Sequence, residues 1–523
     1  MRFWRFVIKC AQNPVIRFGV LFGLLLCLVS SGLAVISVGA ILQSPVNSKN
    51  LPDGCRNAAK AANPVAAENT CPGTTSWRPD HPTGPQSAIE AFTNPVSVNT
   101  GQQIKVYVST TALAYSLQVY RMGWYQGLGG RLLLTIPVLH SIKQPAPTID
   151  PATRMVDCSN WRDPMTLMIP ATWVSGIYVV KLISSQGYMR YTLFVVRNDA
   201  SRAPILFQSS VLTYQAYNNW GDYSLYLGLN AQHQYISSQR AYVVSFDRPY
   251  ARDDGLGDFD RYEYNLLRWV EREGYNVSYS TDVDADLNPA SLLRHRLVLI
   301  AGHDEYWSTA MRDHFTAARD AGVSLAFFGA NDSYWHIRLQ NSPLGLDREV
   351  VCYKSAVLDP LAAVEPQQTT VRWRDAPVNQ PENALLGEMY NGIVAGAWPL
   401  VLDAGAQPWL QGTPLYVGKA LPDLVTGEFD GVVQNGLTPP SLTILSSSSV
   451  KCTTATDFCP DRKGVSNATL YTAPSGARVF DAGTFQWQWG LDNDSFLLTS
   501  THRHYSNAGF QQFTANLIAY LLA

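Results

Sequence analysis

The chain has 523 residues, of which 15% are charged and 11% aromatic, and its formal net charge is −2. The low charged fraction and the high aromatic fraction exclude an intrinsically disordered chain. A chain of this length and composition can form two or more domains with their own cores. The near-neutral charge excludes the basic surface that a phosphate backbone requires, so no nucleic-acid partner is expected.

The N-terminal segment differs from the rest of the chain. Residues 18–42 form an uncharged, mostly apolar run, long enough as a helix to cross a hydrocarbon core of roughly 30 Å. Positive charges precede it at Arg2, Arg5, Lys9 and Arg17. The pattern predicts a single-pass membrane protein with residues 1–17 in the cytoplasm, an anchor at 18–42 and the remainder outside. Small residues at 30–34 leave a cleaved signal peptide, and thus a secreted protein, as the alternative.

Six cysteines follow the predicted anchor, an even number that suits disulfide formation outside the cytoplasm. Proximity along the chain pairs them as Cys55–Cys71 and Cys452–Cys459, which leaves Cys158 with Cys352 to join two domains. Other connectivities stay open, because six cysteines can pair in many ways. None of the spacings is typical of a structural zinc site.

Two regions follow the predicted anchor before the chain changes character. Residues 43–85 are rich in Pro, Asn, Ala and Thr without an apolar period, which predicts a linker. Residues 86–200 carry alternating, β-branched segments separated by turns, namely QQIKVYVST, YSLQVYRMGW, RLLLTIPV, GIYVVKLIS and RYTLFVVRN. Short strands at this spacing predict an immunoglobulin-like antiparallel β-sandwich.

From residue 201 to 523, buried-strand segments alternate with helical ones. AYVVSF, RLVLIAG and VSLAFFGA read as strands, and RYEYNLLRWVEREG and STAMRDHFTAARDAG read as helices. This alternation predicts an α/β domain with a mostly parallel sheet and crossover helices. Beyond about residue 360 the pattern mixes strands with a terminal helix from about Gln511.

Polar side chains follow the strand that RLVLI predicts. His303, Asp304 and Glu305 fall on a strand-to-helix connection, beside a helix N-terminus whose free N–H groups favour carboxylates. Capping of that helix, by Asp304 or by Ser308, is the alternative interpretation. A histidine and two acids in succession exceed what a cap needs, so His303 and Asp304 are predicted to be catalytic.

Tyrosines are concentrated in the segment TYQAYNNWGDYSLY, residues 213–226. Such a run is commonly structural, because tyrosine packs well at the edge of a core. A phenolate is also a hard oxygen donor, and two phenolates with one carboxylate would neutralise ferric iron. An ion held in this way would lower the pKa of a bound water and so generate a nucleophile for a carbonyl carbon.

The run YQAYNNW…SLY, followed by SFDRPY, GYNVSYSTDVD, GHDEYWS and GANDSYW, resembles the core of the N,N-dimethylformamidase large (beta) subunit family. YRMGWYQGLGGR and FQWQWGLD also match family segments, so the resemblance extends over roughly residues 86–500. It implies an α/β fold in which a β-sandwich precedes a class I glutamine-amidotransferase-like core with a β-rich C-terminal extension.

The resemblance also implies an iron (Fe³⁺) site of two tyrosines and one glutamate with a histidine close by. By motif, the ligands are Tyr217, Tyr226 and Glu305, and the neighbouring group is His303. Tyr223 or Tyr250 is the alternative to Tyr226. Asp304 departs from the family motif, so the identity of the substrate does not transfer.

Four further residues are predicted to bind substrate: Asn218, Asn331, Trp335 and Arg338. For Trp335, packing between a helix and the sheet is the alternative. The turn FFGAND offers Asn331 where amidotransferases carry a cysteine nucleophile, and no GxSxG surrounds Ser333, which disfavours glutamine hydrolysis and a serine hydrolase. Glu428 is a further candidate for a polar group in the pocket.

These observations favour a metal-dependent amidohydrolase-like enzyme that acts on a small amide-like substrate. The alternatives are an inactive cell-envelope protein that binds a carbohydrate or peptide, and a structural partner without a small ligand. The predicted partners are a membrane, through the N-terminal helix, and the small substrate or envelope ligand. The sequence also allows a homo-oligomer.

Overall fold

The N-terminal part of the described chain packs onto the first strands. The computed structural model describes residues 52–85, 88–495 and 505–523. Two short helices, α1 (Asp53–Arg56) and α2 (Pro64–Glu68), precede a fully buried Trp77. Glu68 pairs with Arg131 at 2.7 Å, so the segment predicted to be a linker is anchored to the strands that follow it.

Residues 89–197 form two larger, largely antiparallel sheets and one separate antiparallel pair of two-residue strands. Their strands are β1 (Ile89–Asn94), β2 (Ser97–Asn99), β3 (Gln103–Thr110), β4 (Ala114–Met122), β5 (Gly130–His140), β6 (Thr148–Ile149), β7 (Val156–Asp157), β8 (Met165–Met168), β9 (Gly176–Ser184) and β10 (Met189–Arg197). One sheet has the order β1–β3–β8 and the other β2–β10–β9–β4–β5. In β3, Ile104 and Val106 are buried while Gln103 and Lys105 are exposed, as expected of a strand with one face on the core.

The rest of the chain contains the following strands and helices. They are β11 (Ile205–Ser209), α3 (Val211–Tyr217), β12 (Gly228–Leu229), β13 (Tyr235–Ile236), β14 (Val243–Ser245), α4 (Tyr264–Arg272), β15 (Val277–Thr281), α5 (Asp282–Leu287), α6 (Pro289–Leu292), β16 (Leu297–Gly302), β17 (Tyr306–Ser308), α7 (Thr309–Asp320), β18 (Ser324–Gly329), β19 (Trp335–Ser342), β20 (Gly345–Val351), α8 (Asn383–Leu386), β21 (Met389–Val401), β22 (Ala420–Gly431), β23 (Thr443–Lys451), β24 (Lys463–Thr472), β25 (Arg478–Asp481) and α9 (Ala508–Leu522). A π-helical turn, Phe259–Glu263, leads into α4.

The largest described sheet is mixed and has the order β15–β11–β16–β18–β25–β24–β23. Neighbours from β15 to β25 pair in parallel, and Ile300 of β16 lies between Gln208 of β11 and Phe327 of β18. Strands β16 and β18 are buried along their whole length, as expected where both faces of a sheet are covered. The last two strands of the sheet, β24 and β23, pair antiparallel.

Antiparallel hairpins account for much of the C-terminal half. Strand β19 pairs with β20, β21 with β22 and β23 with β24. The terminal helix α9 buries Phe510, Phe513 and Leu517, and Phe510 contacts the Trp487 ring at 4.6 Å between centroids. A helix that ends the chain thus closes the core over the mixed sheet.

The predicted fold class is wrong. The sequence pattern predicted an α/β domain with a mostly parallel sheet, and the family resemblance implied a class I glutamine-amidotransferase-like core. Instead, strands predominate, helices are few and the sheets are mixed. The physical reason lies beyond β18. There the chain returns by short hairpins, such as β23–β24, rather than by helices, and a hairpin can pair its strands only antiparallel.

The predicted single-pass membrane location is corrected as well. No helix in the part of the chain that the structure describes is long and apolar enough to cross a bilayer. Residues 18–42, on which the predicted anchor rests, lie outside the described residues.

Two of the three predicted cysteine pairs are confirmed. Disulfides join Cys55 to Cys71 and Cys452 to Cys459. The third predicted pair is wrong, because Cys158 and Cys352 are both free and buried. Cys158 packs with Phe92 and Trp220 in a separate small core, whereas Cys352 belongs to the main core, so the two thiols do not meet.

Candidate active site

The polar residues of the candidate site follow three adjacent strands of the mixed sheet. Tyr217 ends helix α3 after β11, Glu305 lies between β16 and β17, and Asn331 follows β18. Strands β11, β16 and β18 are neighbours and run parallel, so their carboxyl ends meet at one edge of the sheet. Ligands of open α/β sheets commonly bind at such an edge, and here it brings together segments far apart in sequence.

Two phenols, a carboxylate and an imidazole converge at this edge. The Tyr226 hydroxyl lies 2.6 Å from Oε1 and 2.8 Å from Oε2 of Glu305. The Tyr217 hydroxyl lies 3.3 Å from Nε2 of His303, and that nitrogen is 3.3 Å from Oε2 of Glu305. The rings of Tyr217 and Tyr226 stack with centroids 4.3 Å apart, which holds both hydroxyls on the same side. His303 and Glu305 are buried.

Local contacts fix the connection that carries His303 and Glu305. Gly302 has φ +71°, and a Cβ atom there would lie 2.4 Å from Cβ of Tyr262, so only glycine fits. The Glu305 N–H donates to Oγ1 of Thr213 at 3.0 Å, which ties this connection to helix α3. Nδ1 of His303 lies 3.1 Å from the Ala330 carbonyl oxygen, so Nδ1 carries the proton and Nε2 faces the phenols.

A second carboxylate stands at the same place. Nδ2 of Asn331 donates to Oε2 of Glu428, from strand β22, at 2.6 Å, and this oxygen is 4.0 Å from Nε2 of His303. Burial raises the pKa of Glu428 to about 7, with His303 opposing the rise and the charge of Glu305 adding to it. The sequence singled out Glu428 only weakly, because nothing in VTGEFDG distinguishes it from a surface acid.

Lys354 is a site residue that the motif analysis did not select. Its Nζ donates to the Tyr306 hydroxyl at 2.7 Å and lies 3.3 Å from the centroid of the Tyr226 ring. Burial lowers the pKa of Lys354 to about 8, although Glu305 acts in the opposite direction. Its one sequence signal is a lysine three residues after the end of β20.

Electrostatics within the site depend on the two phenols. Burial, and then the charge of Glu305, raises the pKa of both Tyr217 and Tyr226 well above the usual value. Burial opposes ionisation of Glu305 too, but hydrogen bonding and attraction from His303 and then the charge of Lys354 lower its pKa overall. Without a further cation, both phenols therefore keep their protons and one donates to the carboxylate.

The donor set fits a hard, highly charged cation. Two phenol oxygens and one carboxylate, once ionised, carry three negative charges at one point, which matches ferric iron. No group of three or more His, Cys, Asp and Glu side chains suited to a metal occurs among the described residues. A metal at this place would thus depend on tyrosine oxygens, which lie outside that set of residue types.

The comparisons with known proteins bear on this geometry. Residues 116–504 match the family model described as N,N-dimethylformamidase beta subunit-like, C-terminal, and this range covers most of the chain and all four converging residues. The chain belongs to this family. The family membership predicted from the motifs is therefore confirmed.

Individual proteins share little sequence identity with this N,N-dimethylformamidase beta subunit-like chain. A stretch of 219 residues is 24% identical to the N,N-dimethylformamidase beta subunit of Alcaligenes sp, covering 35% of this chain and 28% of that relative. A superoxide reductase (neelaredoxin) from Ignicoccus hospitalis is 10% identical over 21% of this chain and 77% of its own, with a TM-score of 0.13. A cycloisomaltooligosaccharide glucanotransferase from Paenibacillus sp. is 8% identical over 82% and 80%, with a TM-score of 0.17. Scores this low carry no argument about fold or function.

Within this family member, Asp304 points away from the converging groups. Its Oδ2 accepts from Nε2 of Gln208 at 2.7 Å, and its N–H donates to Oδ1 of Asp332 at 2.5 Å. These contacts tie the connection to β11 and to the loop after β18. The catalytic role predicted for Asp304 stays a prediction.

The remaining predicted residues divide between the site and the scaffold. Asn331 is at the site, and the Trp335 ring lies 4.6 Å from Nζ of Lys354. Asn218 donates to the Pro249 carbonyl at 2.8 Å and shapes its own loop. Arg338 pairs with Asp359 at 2.8 Å, outside the converging groups.

The two alternatives to Tyr226 are also placed elsewhere. Tyr223 packs against the small core around Trp220, and Tyr250 packs edge-on against Tyr214 with centroids 6.4 Å apart.

Proposed function

We propose that this chain hydrolyses the C–N bond of a small amide with the help of a ferric ion held by Tyr217, Tyr226 and Glu305. The observation that carries this proposal is the convergence of two phenol oxygens and one carboxylate from separate segments, with Nε2 of His303 within 3.3 Å of two of them. Family membership supports the reaction class, since the curated relative is named an N,N-dimethylformamidase beta subunit.

The proposed ligand residues are arranged so that a cation could replace their protons. Each phenol is partly buried and kept protonated by its surroundings, so binding a cation would release both protons and replace the Tyr226–Glu305 hydrogen bond. When bound, a ferric ion supplies a Lewis acid that lowers the pKa of water and polarises an amide carbonyl. The stacked rings restrict both phenols, which reduces the entropy lost on forming the site.

His303 is placed to move the proton. Its Nδ1 is committed to the Ala330 carbonyl, so Nε2 alone faces the reaction space. In the proposed reaction Nε2 accepts a proton from water as the oxygen bonds to the acyl carbon. It then delivers that proton to the nitrogen as the C–N bond breaks, which yields a carboxylic acid and an amine.

Asn331 and Glu428 form the polar side of the substrate site. Their 2.6 Å hydrogen bond holds the Glu428 carboxylate at 4.0 Å from Nε2 of His303, close enough to align a bound amide against the imidazole. The aromatic rings of Phe485 and Tyr262 lie 4.5 Å and 5.6 Å from the His303 ring. They limit the space for the substrate and exclude water, which favours a small substrate with little polar surface.

The metal and the activity are tested on the full chain. Elemental analysis should find iron, with a visible tyrosinate-to-iron charge-transfer band, and release of amine from N,N-dimethylformamide and related small amides should be measurable. Tyr217→Phe is expected to abolish the band and lower iron affinity by about 100-fold or more, because it removes a ligand oxygen. Tyr223→Phe, a matched change in the same segment, should keep both. A folded, colourless wild-type protein that takes up no iron contradicts the proposal.

A further inference from the structure

A cavity of about 280 Å³ lies between the β-sandwich region and the loop that follows α3. Glu90 of β1 and Arg190 of β10 line one side, and Asn219, Trp220 and Tyr250 line the other. The converging groups of the proposed active site do not line it. Its size suits a ligand of a few heavy atoms, at or below the lower end of typical small-molecule sites.

One oxygen acceptor in this cavity has no hydrogen-bond donor. Oε1 of Glu90 accepts from the Trp220 indole at 2.7 Å, but Oε2 receives no hydrogen bond from any residue that the structure describes. A carboxylate oxygen without a donor in a largely enclosed site favours a ligand that brings N–H groups.

Charge favours a cation in the same place. Nη1 of Arg190 already pairs with Asp254 at 3.0 Å, so its charge is largely offset. Asp222 adds a second carboxylate to the lining, where it accepts from the Tyr235 hydroxyl at 2.7 Å. Burial raises the pKa of Glu90 to about 7, despite the hydrogen bond from Trp220 and the charge of Arg190. Arg190 therefore compensates the charge of Glu90 only in part.

We propose that this cavity binds a small alkylammonium ion, whose N–H groups donate to Glu90 and whose alkyl groups pack against Trp220 and Tyr250. Aromatic rings favour such a cation, because their faces carry negative charge and their surface is apolar. The hydrogen bond from Trp220 and the edge contact between Trp220 and Trp161, with centroids 6.3 Å apart, hold the indole in place.

Three probes that share an isopropyl group and differ in charge test the proposal at pH 8: isopropylammonium, isopropanol and isobutyrate. Binding to the full chain is followed by NMR of the tryptophan indole N–H signals and by calorimetry, without added metal. The proposal expects isopropylammonium to bind at least tenfold more tightly than isopropanol and to shift the Trp220 indole signal, with no binding of isobutyrate. Absence of isopropylammonium binding at 50 mM, or equal binding of isobutyrate, overturns it.

Two variants give opposite expected changes. Glu90→Gln should weaken isopropylammonium binding at least tenfold, whereas Asn219→Asp, which adds a carboxylate to the lining, should tighten it severalfold. Glu273→Gln removes one negative charge from the exposed end of α4 and should leave binding unchanged. If Glu90→Gln fails to fold, Asn219→Asp alone decides, since unchanged affinity in that variant overturns the proposal. Because no probe needs iron or turnover, failure here is distinguishable from failure of the proposed hydrolase.

Discussion

At the scale of single residues, Asp304 and Glu305 are adjacent acids with different expected roles. Glu305 faces the phenols, whereas Asp304 accepts from Gln208 between the strands. We expect Glu305→Gln to lose the proposed metal and the activity, because the glutamine amide carries no negative charge. It also has only one oxygen to accept from the Tyr226 hydroxyl, whereas the carboxylate has two. Asp304→Asn should keep iron content and turnover within about threefold, a change below 1 kcal/mol.

The pair is measured by iron content per chain, amine release and circular dichroism. Far-ultraviolet spectra of both variants should match that of the wild type, so that differences report on the site. Loss of iron from folded Asp304→Asn would mean that the aspartate takes part in binding the metal after all.

The same residues show which parts of the candidate site could be predicted from the sequence. The family resemblance selected Tyr217, Tyr226, Glu305 and His303 within motifs that follow predicted strands, and the structure does bring their polar atoms together. Lys354 was missed, because its contact with the Tyr226 ring depends on where β20 ends in three dimensions. Which way Asp304 points was also beyond the sequence, since consecutive residues on a connection have no fixed period.

At the scale of elements, Gly302 closes β16 and turns the chain into the site. Gly302→Ala places a Cβ atom 2.4 Å from Cβ of Tyr262 at φ +71°, so we expect a loss of roughly 2–4 kcal/mol in the free energy of unfolding. The matched control is Gly274→Ala, after α4, which has φ +75° but nothing within 4 Å of the added atom. It should lose only about 1 kcal/mol.

Urea unfolding of the two alanine variants separates backbone strain from crowding, because only Gly302 faces a neighbour. Iron uptake should fall in Gly302→Ala alone, since displacement of the turn moves His303 and Glu305. Equal stability losses in the two variants would show that the contact with Tyr262 is not what fixes this turn.

Strands and helices were predictable from the sequence where the apolar residues follow a clear strand or helix period. Alternation in GIYVVKLIS and RYTLFVVRN matches β9 and β10, and the apolar period of RYEYNLLRWVEREG falls on α4 and the turn before it. Strand direction was not predictable beyond β18. Whether a strand such as β24 pairs parallel or antiparallel depends on the connection before it, and the periodicity of the strand itself is the same in both cases.

At the scale of the whole molecule, buried carboxyl groups should make stability depend on pH. Burial raises the pKa of Glu263 to about 7 and those of Glu388, Asp481 and Asp332 well above the usual range. A group of this kind holds its proton in the folded chain at a pH where the unfolded chain has released it. Its contribution to stability is therefore complete at acidic pH and is lost as the pH rises through the folded value.

Glu263 isolates one such contribution, because it lies apart from the proposed ligands and accepts from the Ser210 N–H at 2.9 Å and the Ser209 hydroxyl at 3.0 Å. Its pKa moves from 4.5 to about 7, which corresponds to about 2 kcal/mol of stability lost between pH 5.5 and 8.5. Glu263→Gln keeps an acceptor for both donors but cannot ionise. The free energy of unfolding in urea should therefore fall by about 2 kcal/mol less between these two pH values in Glu263→Gln than in the wild type. The surface variant Glu273→Gln should show the same fall as the wild type. An equal decline in all three proteins would mean that Glu263 ionises in the folded chain as readily as in the unfolded one.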